Sequence, residues 1–210
     1  MHLSDGILNL PTVVATSAAA GAMLVHSVRG IKEEDIPKVS LVTAAFFTIS
    51  LISIPIGPSS VHPTLGGVVG ILLGRRSVIA IFVGLLLQAI FFQHGGLTTL
   101  GINTLMLSIP ALTVSYLFNT LSAKGQRIPL ISALIGALAV IICVAILSVV
   151  LYLSNSIYYD GLLSVINLLL VAHIPVVILE GALTMSVISF INRTRPNLLP
   201  MLQTSNDLER

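Results

Sequence analysis

Pro63-Thr64-Leu65-Gly66-Gly67-Val68-Val69-Gly70-Ile71-Leu72-Leu73-Gly74-Arg75-Arg76 is the stretch on which the fold turns. Its apolar part, 64–74, is eleven residues long, held between a proline and two arginines. At about 1.5 Å of rise per residue it falls well short of a hydrocarbon core of about 30 Å. It reads as a half-helix or a bent continuation, a form of backbone tolerated at membrane depth only where it is buried in protein or lines a cavity. Whether it counts as a crossing decides how every charge in the chain is distributed.

Working outward, apolar runs near spanning length lie at 8–28, 39–56, 77–93, 101–121, 128–153 and 161–191, the last long and carrying Pro175. Lys and Arg fall after the first run (Arg29, Lys32, Lys38), the short run (Arg75, Arg76), the fifth run (Lys124, Arg127) and the last (Arg193, Arg195, Arg210). The alternate connections, 57–63, 94–100 and 154–160, carry none. If the short run is a crossing, all basic residues share one side, which is the positive-inside pattern. The expectation is an all-α polytopic membrane protein of about seven transmembrane helices, one of them short or broken. Its amino terminus lies outside and its carboxyl terminus in the cytoplasm. Residues 1–192 form a single transmembrane domain, followed by a polar cytoplasmic tail, 193–210.

Composition agrees. Only 9% of residues are charged against 55% apolar, too few to clothe a water-soluble surface. A net charge of +2, scattered as flanks to apolar runs, gives no footprint for nucleic acid. The single cysteine, Cys143, excludes a disulfide framework. No basic residue precedes the first run, so a secretory signal is not expected and Met1 is taken as the mature first residue.

The polar residues that such a chain keeps are the ones to read for chemistry. In Met1-His2 a free terminal amine, the His2 amide nitrogen and the His2 imidazole Nδ1 can close adjacent five- and six-membered chelate rings in one plane. Tetragonal nitrogen sites of this kind suit Ni(II) or Cu(II). His62 lies in Ser59-Ser60-Val61-His62-Pro63-Thr64 at the mouth of the short run, on the side expected for the amino terminus. The segment His94-Gly95-Gly96-Leu97-Thr98-Thr99-Leu100-Gly101-Ile102-Asn103 joins two runs on that side. Its glycines allow close backbone approach and its polar groups can support a neighbouring site. For His94, support or loop packing is favoured over direct ligation. Glu180 is the carboxylate placed deep within a run, with His173 two turns before it, and an intramembrane acid calls for a role. Pairing between helices, proton carriage and subunit contact all remain open for this pair.

At these residues the sequence resembles the CbiM/NikM family, the membrane-embedded substrate-capture component of cobalt and nickel energy-coupling-factor transporters. The resemblance rests on Met1-His2-Leu3-Ser4-Asp5-Gly6, Ser60-Val61-His62-Pro63-Thr64, the stretch from His94 to Asn103, and His173-Ile174-Pro175 with Glu180-Gly181. It implies a seven-helix bundle whose amino-terminal segment folds back into the outer face. The ion would be held by the Met1 amine, the His2 amide nitrogen and imidazole, and the His62 imidazole. Asp5 and Ser60 would orient these ligands or cap the first helix, with His94 and Asn103 supporting from nearby. The resemblance further implies Co2+ or Ni2+ as transported substrate, cobalt favoured, and no organic cofactor. The partners implied are a transmembrane coupling subunit, cytoplasmic ATPase subunits and a small accessory membrane subunit, in the cell membrane of a prokaryote. The chain itself lacks a Gly-x-x-x-x-Gly-Lys-Ser/Thr phosphate loop, so it is not expected to be an enzyme. The competing readings are a metal-dependent intramembrane enzyme, which would need its ligands at one depth, and a stand-alone vitamin transporter, which would need an aromatic pocket.

Overall fold

The computed structural model describes residues 3–52, 54–56, 59–122, 127–154, 158, 161 and 164–199, with the main chain alone for 54–56 and 59–61. Seven α-helices follow one another in these residues: α1 (Leu10–Val28), α2 (Asp35–Ser50), α3 (Gly66–Leu73), α4 (Ser77–Phe92), α5 (Leu100–Ser122), α6 (Ile128–Ser154) and α7 (Val165–Thr194). The first is started by Asn9, whose side-chain oxygen accepts from the Thr12 amide at 3.0 Å, with Pro11 in the opening turn where its missing N–H costs nothing.

The second apolar run does not continue as helix to residue 56. α2 ends at Ser50, whose hydroxyl turns back onto the Phe46 carbonyl at 2.5 Å. The chain then forms a two-stranded antiparallel ribbon, β1 (Ile54–Ile56) against β2 (Ser59–Val61), with Ile54 opposite Val61. Pro55 cannot propagate a helix, and a two-stranded ribbon has the open edges on which a proline is tolerated. This ribbon is the one departure from an all-helical fold among the described residues.

Five segments are long and apolar enough to cross a membrane: Leu10–Val28, Gly66–Phe92, Leu100–Ser122, Ile128–Ser154 and Val165–Thr194. In the second of these, α3 and α4 are joined by a 3-10 turn, Gly74–Arg76, in which Gly74 takes a positive φ of 54°. α2, at 16 residues, is shorter than these five. Large apolar side chains such as Leu134, Ile141, Val171, Ile178 and Phe190 point outward, the arrangement a lipid solvent favours and water does not.

The centre of the bundle is the short helix. All eight residues of α3 are buried, packed against α5, α6 and α7. At Gly70 a Cβ would collide with the Ala111 carbonyl of α5, so only glycine lets the two backbones come this close. Thus an eight-residue helix, about 12 Å long, is held inside protein rather than offered to lipid.

At the far end of α3 the two arginines act on α1. The Arg76 guanidinium, largely buried, donates to the carbonyls of Ser27, Arg29 and Gly30, and Arg75 donates to Arg29 at 3.0 Å. Asp35 stands 3.5 Å from Arg76. Cations at a helix carboxyl end meet both its unpaired carbonyls and its dipole.

Candidate metal site at the amino-terminal end

Met1 and His2, the expected chelate, lie outside the described residues, which begin at Leu3. Leu3 is buried as part of the hydrophobic core, with 4% of its surface exposed. Its amide donates to Asn103 Oδ1 at 2.9 Å, while its carbonyl accepts from Asn103 Nδ2 at 3.0 Å and from the Thr99 hydroxyl at 2.6 Å. One amide side chain, at the start of α5, therefore reads both main-chain polar groups of one residue. A buried residue outside helix and sheet must have its backbone groups answered, and Asn103 and Thr99 do this for Leu3.

Two residues later Asp5 Oδ1 accepts from the Thr98 amide at 2.9 Å and from its hydroxyl at 2.5 Å. The Thr98 hydroxyl holds the Asp5 carboxyl below the usual carboxylate range, with the loop amides adding to it against a smaller desolvation effect. Across from it a Cβ at position 96 would strike the Asp5 carboxylate, so Gly96 is required for the segment to lie where it does. The loop expected to support the site thus clasps the amino-terminal segment. The cap of α1 is Asn9, which leaves Asp5 to this clasp.

His62 and His94 meet: their rings lie 4.5 Å apart between centroids, at 76°, an edge-to-face contact. His94 is carried on the turn that ends α4, where Gln93 takes a left-handed φ of 52° and the His94 amide donates to the Gln88 carbonyl at 3.2 Å. The Nδ1 of the His62 ring is buried with no hydrogen-bond partner among the described residues. Burial holds the His62 imidazole below its ordinary pKa, the neighbouring His94 adding to this, and burial does the same for His94. A neutral imidazole with an unclaimed nitrogen is the form in which histidine binds a metal.

Behind His62 the chain passes through the buried Pro63 and Thr64 to Leu65, which precedes α3 in a left-handed conformation, φ 49°. Leu65 has no side chain with which to cap the helix, and the cap comes from α7. Glu180 Oε1 accepts from the Thr64 amide, from the Leu65 amide at 2.7 Å and from the Thr64 hydroxyl at 3.1 Å. Glu180 is fully buried, and its Oε2 has no partner among the described residues. Two turns earlier on α7, His173 Nδ1 bonds the Leu169 carbonyl at 2.7 Å, leaving Nε2 buried without a partner among those residues.

The structure therefore brings the amino-terminal segment, Asp5, Asn103, the His94 loop and His62 to one end of the bundle. Glu180 is linked to that end through the loop of His62, and His173 sits apart on α7. Ser60 lies in β2, opposite Pro55, and its main chain alone is described. Among the described residues, no group of three His, Cys, Asp or Glu side chains could hold an ion. Thr98, Thr99 and Gln88 were missed as individual residues, although the polarity of 98–103 at the start of an apolar run was a usable signal. Gln88 is buried within α4 and donates to the Ser50 hydroxyl at 2.5 Å.

Fold and site together define a class: a polytopic helical membrane protein in which the amino-terminal segment, anchored at the buried Leu3, is clasped by the loop that follows His94, the partner of His62. The sequence matches the family model of the cobalt uptake substrate-specific transmembrane region, CbiM, over residues 2–198, and the chain belongs to that family. It is 35% identical over 204 residues to a Haemophilus influenzae protein provisionally named as a metal transport protein, covering 95% of this chain and 97% of that one. It is 31% identical to the cobalt transport protein CbiM of Sorangium cellulosum, covering 97% and 96% of the two chains. In three dimensions it resembles the crystal structure of a truncated transition metal transporter, with a TM-score of 0.77 and 20% identity over 92% of this chain and 99% of that one. At that identity the likeness shows the shared fold.

Proposed function

We propose that the chain is the membrane capture component of an ATP-driven importer of divalent transition metal ions, with cobalt favoured over nickel. In this reading residues 1–192 cross the cell membrane seven times, α2 and the short α3 included, with the amino terminus outside and the tail 193–210 in the cytoplasm. The ion is taken by the Met1 amine, the His2 amide nitrogen and imidazole, and His62. The free-energy source is ATP hydrolysis in separate cytoplasmic subunits, reached through a transmembrane coupling subunit and assisted by a small accessory membrane subunit.

The observation that carries this reading is the fixing of Leu3. With both its main-chain groups held by Asn103 and Thr99, the two residues before it can reach only a few ångströms, about 3.3–3.6 Å per residue. At the same end of the bundle, His62 offers a buried Nδ1 with no partner among the described residues. A chelating dipeptide whose next residue is anchored has less freedom to lose on binding, and preorganisation of that kind raises affinity. Membership of a cobalt uptake family supports the choice of ion; the donor set itself would suit nickel as well, since nitrogen sites follow the usual order of affinities with copper at the top.

The test is the metal content of purified protein grown with cobalt and nickel supplied together. The parent retains one ion per chain, cobalt in excess, and His62→Ala loses at least about tenfold in affinity. A parent with an unblocked Met1 that retains neither ion contradicts the reading.

A further inference from the structure

Glu180 has no part in the proposed chelate, yet it is the most deeply buried carboxylate among the described residues, and its contacts are specific. It receives the amides of Thr64 and Leu65 and the hydroxyl of Thr64, the three donors that immediately follow His62-Pro63. These amides precede a helix whose own preceding residue, Leu65, supplies no side-chain cap and sits in a left-handed conformation uncommon for a branched apolar residue. Without an acceptor, two buried amides would be left unanswered at the point where the chain turns from the His62 loop into α3. Pro63 stiffens the connection further, because its ring fixes its own φ and restricts His62 before it. The segment from His62 to Gly66 thus has few ways to move so long as the carboxylate stays in place.

Resting on the proposed capture function, we infer that Glu180 is a positioning residue for His62: from α7 it sets the His62-Pro63-Thr64 turn and so the direction in which the imidazole Nδ1 points. It acts by reach and hydrogen bonding, with one oxygen shared among three donors. Its charge is incidental to the placement of the ring. Gln in its place can present the same carbonyl oxygen to Thr64 and Leu65. Asp keeps the charge but, one methylene shorter, withdraws the oxygen from both amides.

Three variants, Glu180→Gln, Glu180→Asp and His62→Ala, are compared with the parent protein in detergent, each bearing an unblocked Met1. Co2+ and Ni2+ are titrated separately, recording both the dissociation constant and the ligand-field absorption bands of the bound ion. Glu180→Gln is expected to match the parent in affinity and in band position. Glu180→Asp is expected to bind about tenfold more weakly or worse, the range seen when a group behind a ligand is removed, with shifted bands because the His62 nitrogen meets the ion at an altered angle. Parental affinity and bands in both Glu180 variants overturn the inference. So does the reverse pattern, Asp parental and Gln weakened, which would make the charge the active property. Should the parent itself fail to bind, the capture reading falls; should the parent bind and His62→Ala weaken it while both Glu180 variants stay parental, only the role of Glu180 falls.

Discussion

At one end of α3 a carboxylate closes the start of a helix, and just beyond the other end an arginine closes the finish of a different one. Arg76 answers three carbonyls at the end of α1 and stands beside Asp35, so its bonding capacity is spent on holding α1 and α2 to the turn between α3 and α4. Glu180 spends one oxygen on the turn that carries His62 and leaves the other without a partner among the described residues. Both devices use the unpaired groups of a helix end. One serves cohesion alone; the other, in the proposed reading, also fixes the His62 ring. The amino-terminal end of the bundle, with its clasped backbone and facing imidazoles, is therefore where substitution should change binding, and the arginine end is where it should change stability.

The strongest way to break this division is Asn103→Ala. It removes both bonds from the amide side chain to Leu3 and frees the segment that carries His2. Metal affinity in an equilibrium titration is expected to fall about 10–100-fold. Arg76→Ala tests the other half. It strands the carbonyls of Ser27, Arg29 and Gly30 and is expected to cost about 1–3 kcal/mol, seen as a lower thermal midpoint in detergent. Metal affinity should stay within a factor of about two of the parent, because nothing at the ligand end has moved. A metal-binding defect in Arg76→Ala at a temperature where it is folded would erase the distinction between the ends.

Acid sharpens it more gently. The Met1 amine has an unperturbed pKa of about 7.7–8.0 and must lose its proton to bind. Affinity should fall as pH drops below that range. His62, held below its ordinary value by burial, competes for a proton only at lower pH still. The slope between pH 8 and 7 thus belongs to the amino-terminal dipeptide, and a flat affinity profile over that interval would remove the amine from the site.

Much of the helical layout was legible because apolar length is a strong signal where lipid is the solvent. The runs at 77–93, 101–121 and 128–153 reappear as α4, α5 and α6 with ends shifted by a residue or less. The second run was misread at its end because hydropathy does not separate Ile54-Pro55-Ile56 in a ribbon from the same residues in a helix. Ser50 and Pro55, the residues that stop the helix, weigh little in an apolar count. At the site, Asn103 and Asp5 could be listed from the sequence as polar residues near a candidate ligand. Their actual work, clasping Leu3 and Thr98, depends on partners about a hundred positions away that no local pattern identifies. Glu180 was conspicuous as an acid within an apolar run, but its partners lie 116 and 115 residues earlier, and two of the three are backbone amides, which carry no signature in a sequence.

The proposed function depends on an ion gripped by the first two residues and closed by His62. The most direct measurement is cobalt and nickel affinity of two preparations that differ only in one extra residue placed before Met1. The extension converts the terminal amine into an amide and lengthens the approach by one residue, while Leu3, Asn103 and Thr99 keep their bonds. The expected result is loss of high-affinity binding with the fold unchanged by circular dichroism. Equal affinity in the two preparations would contradict it.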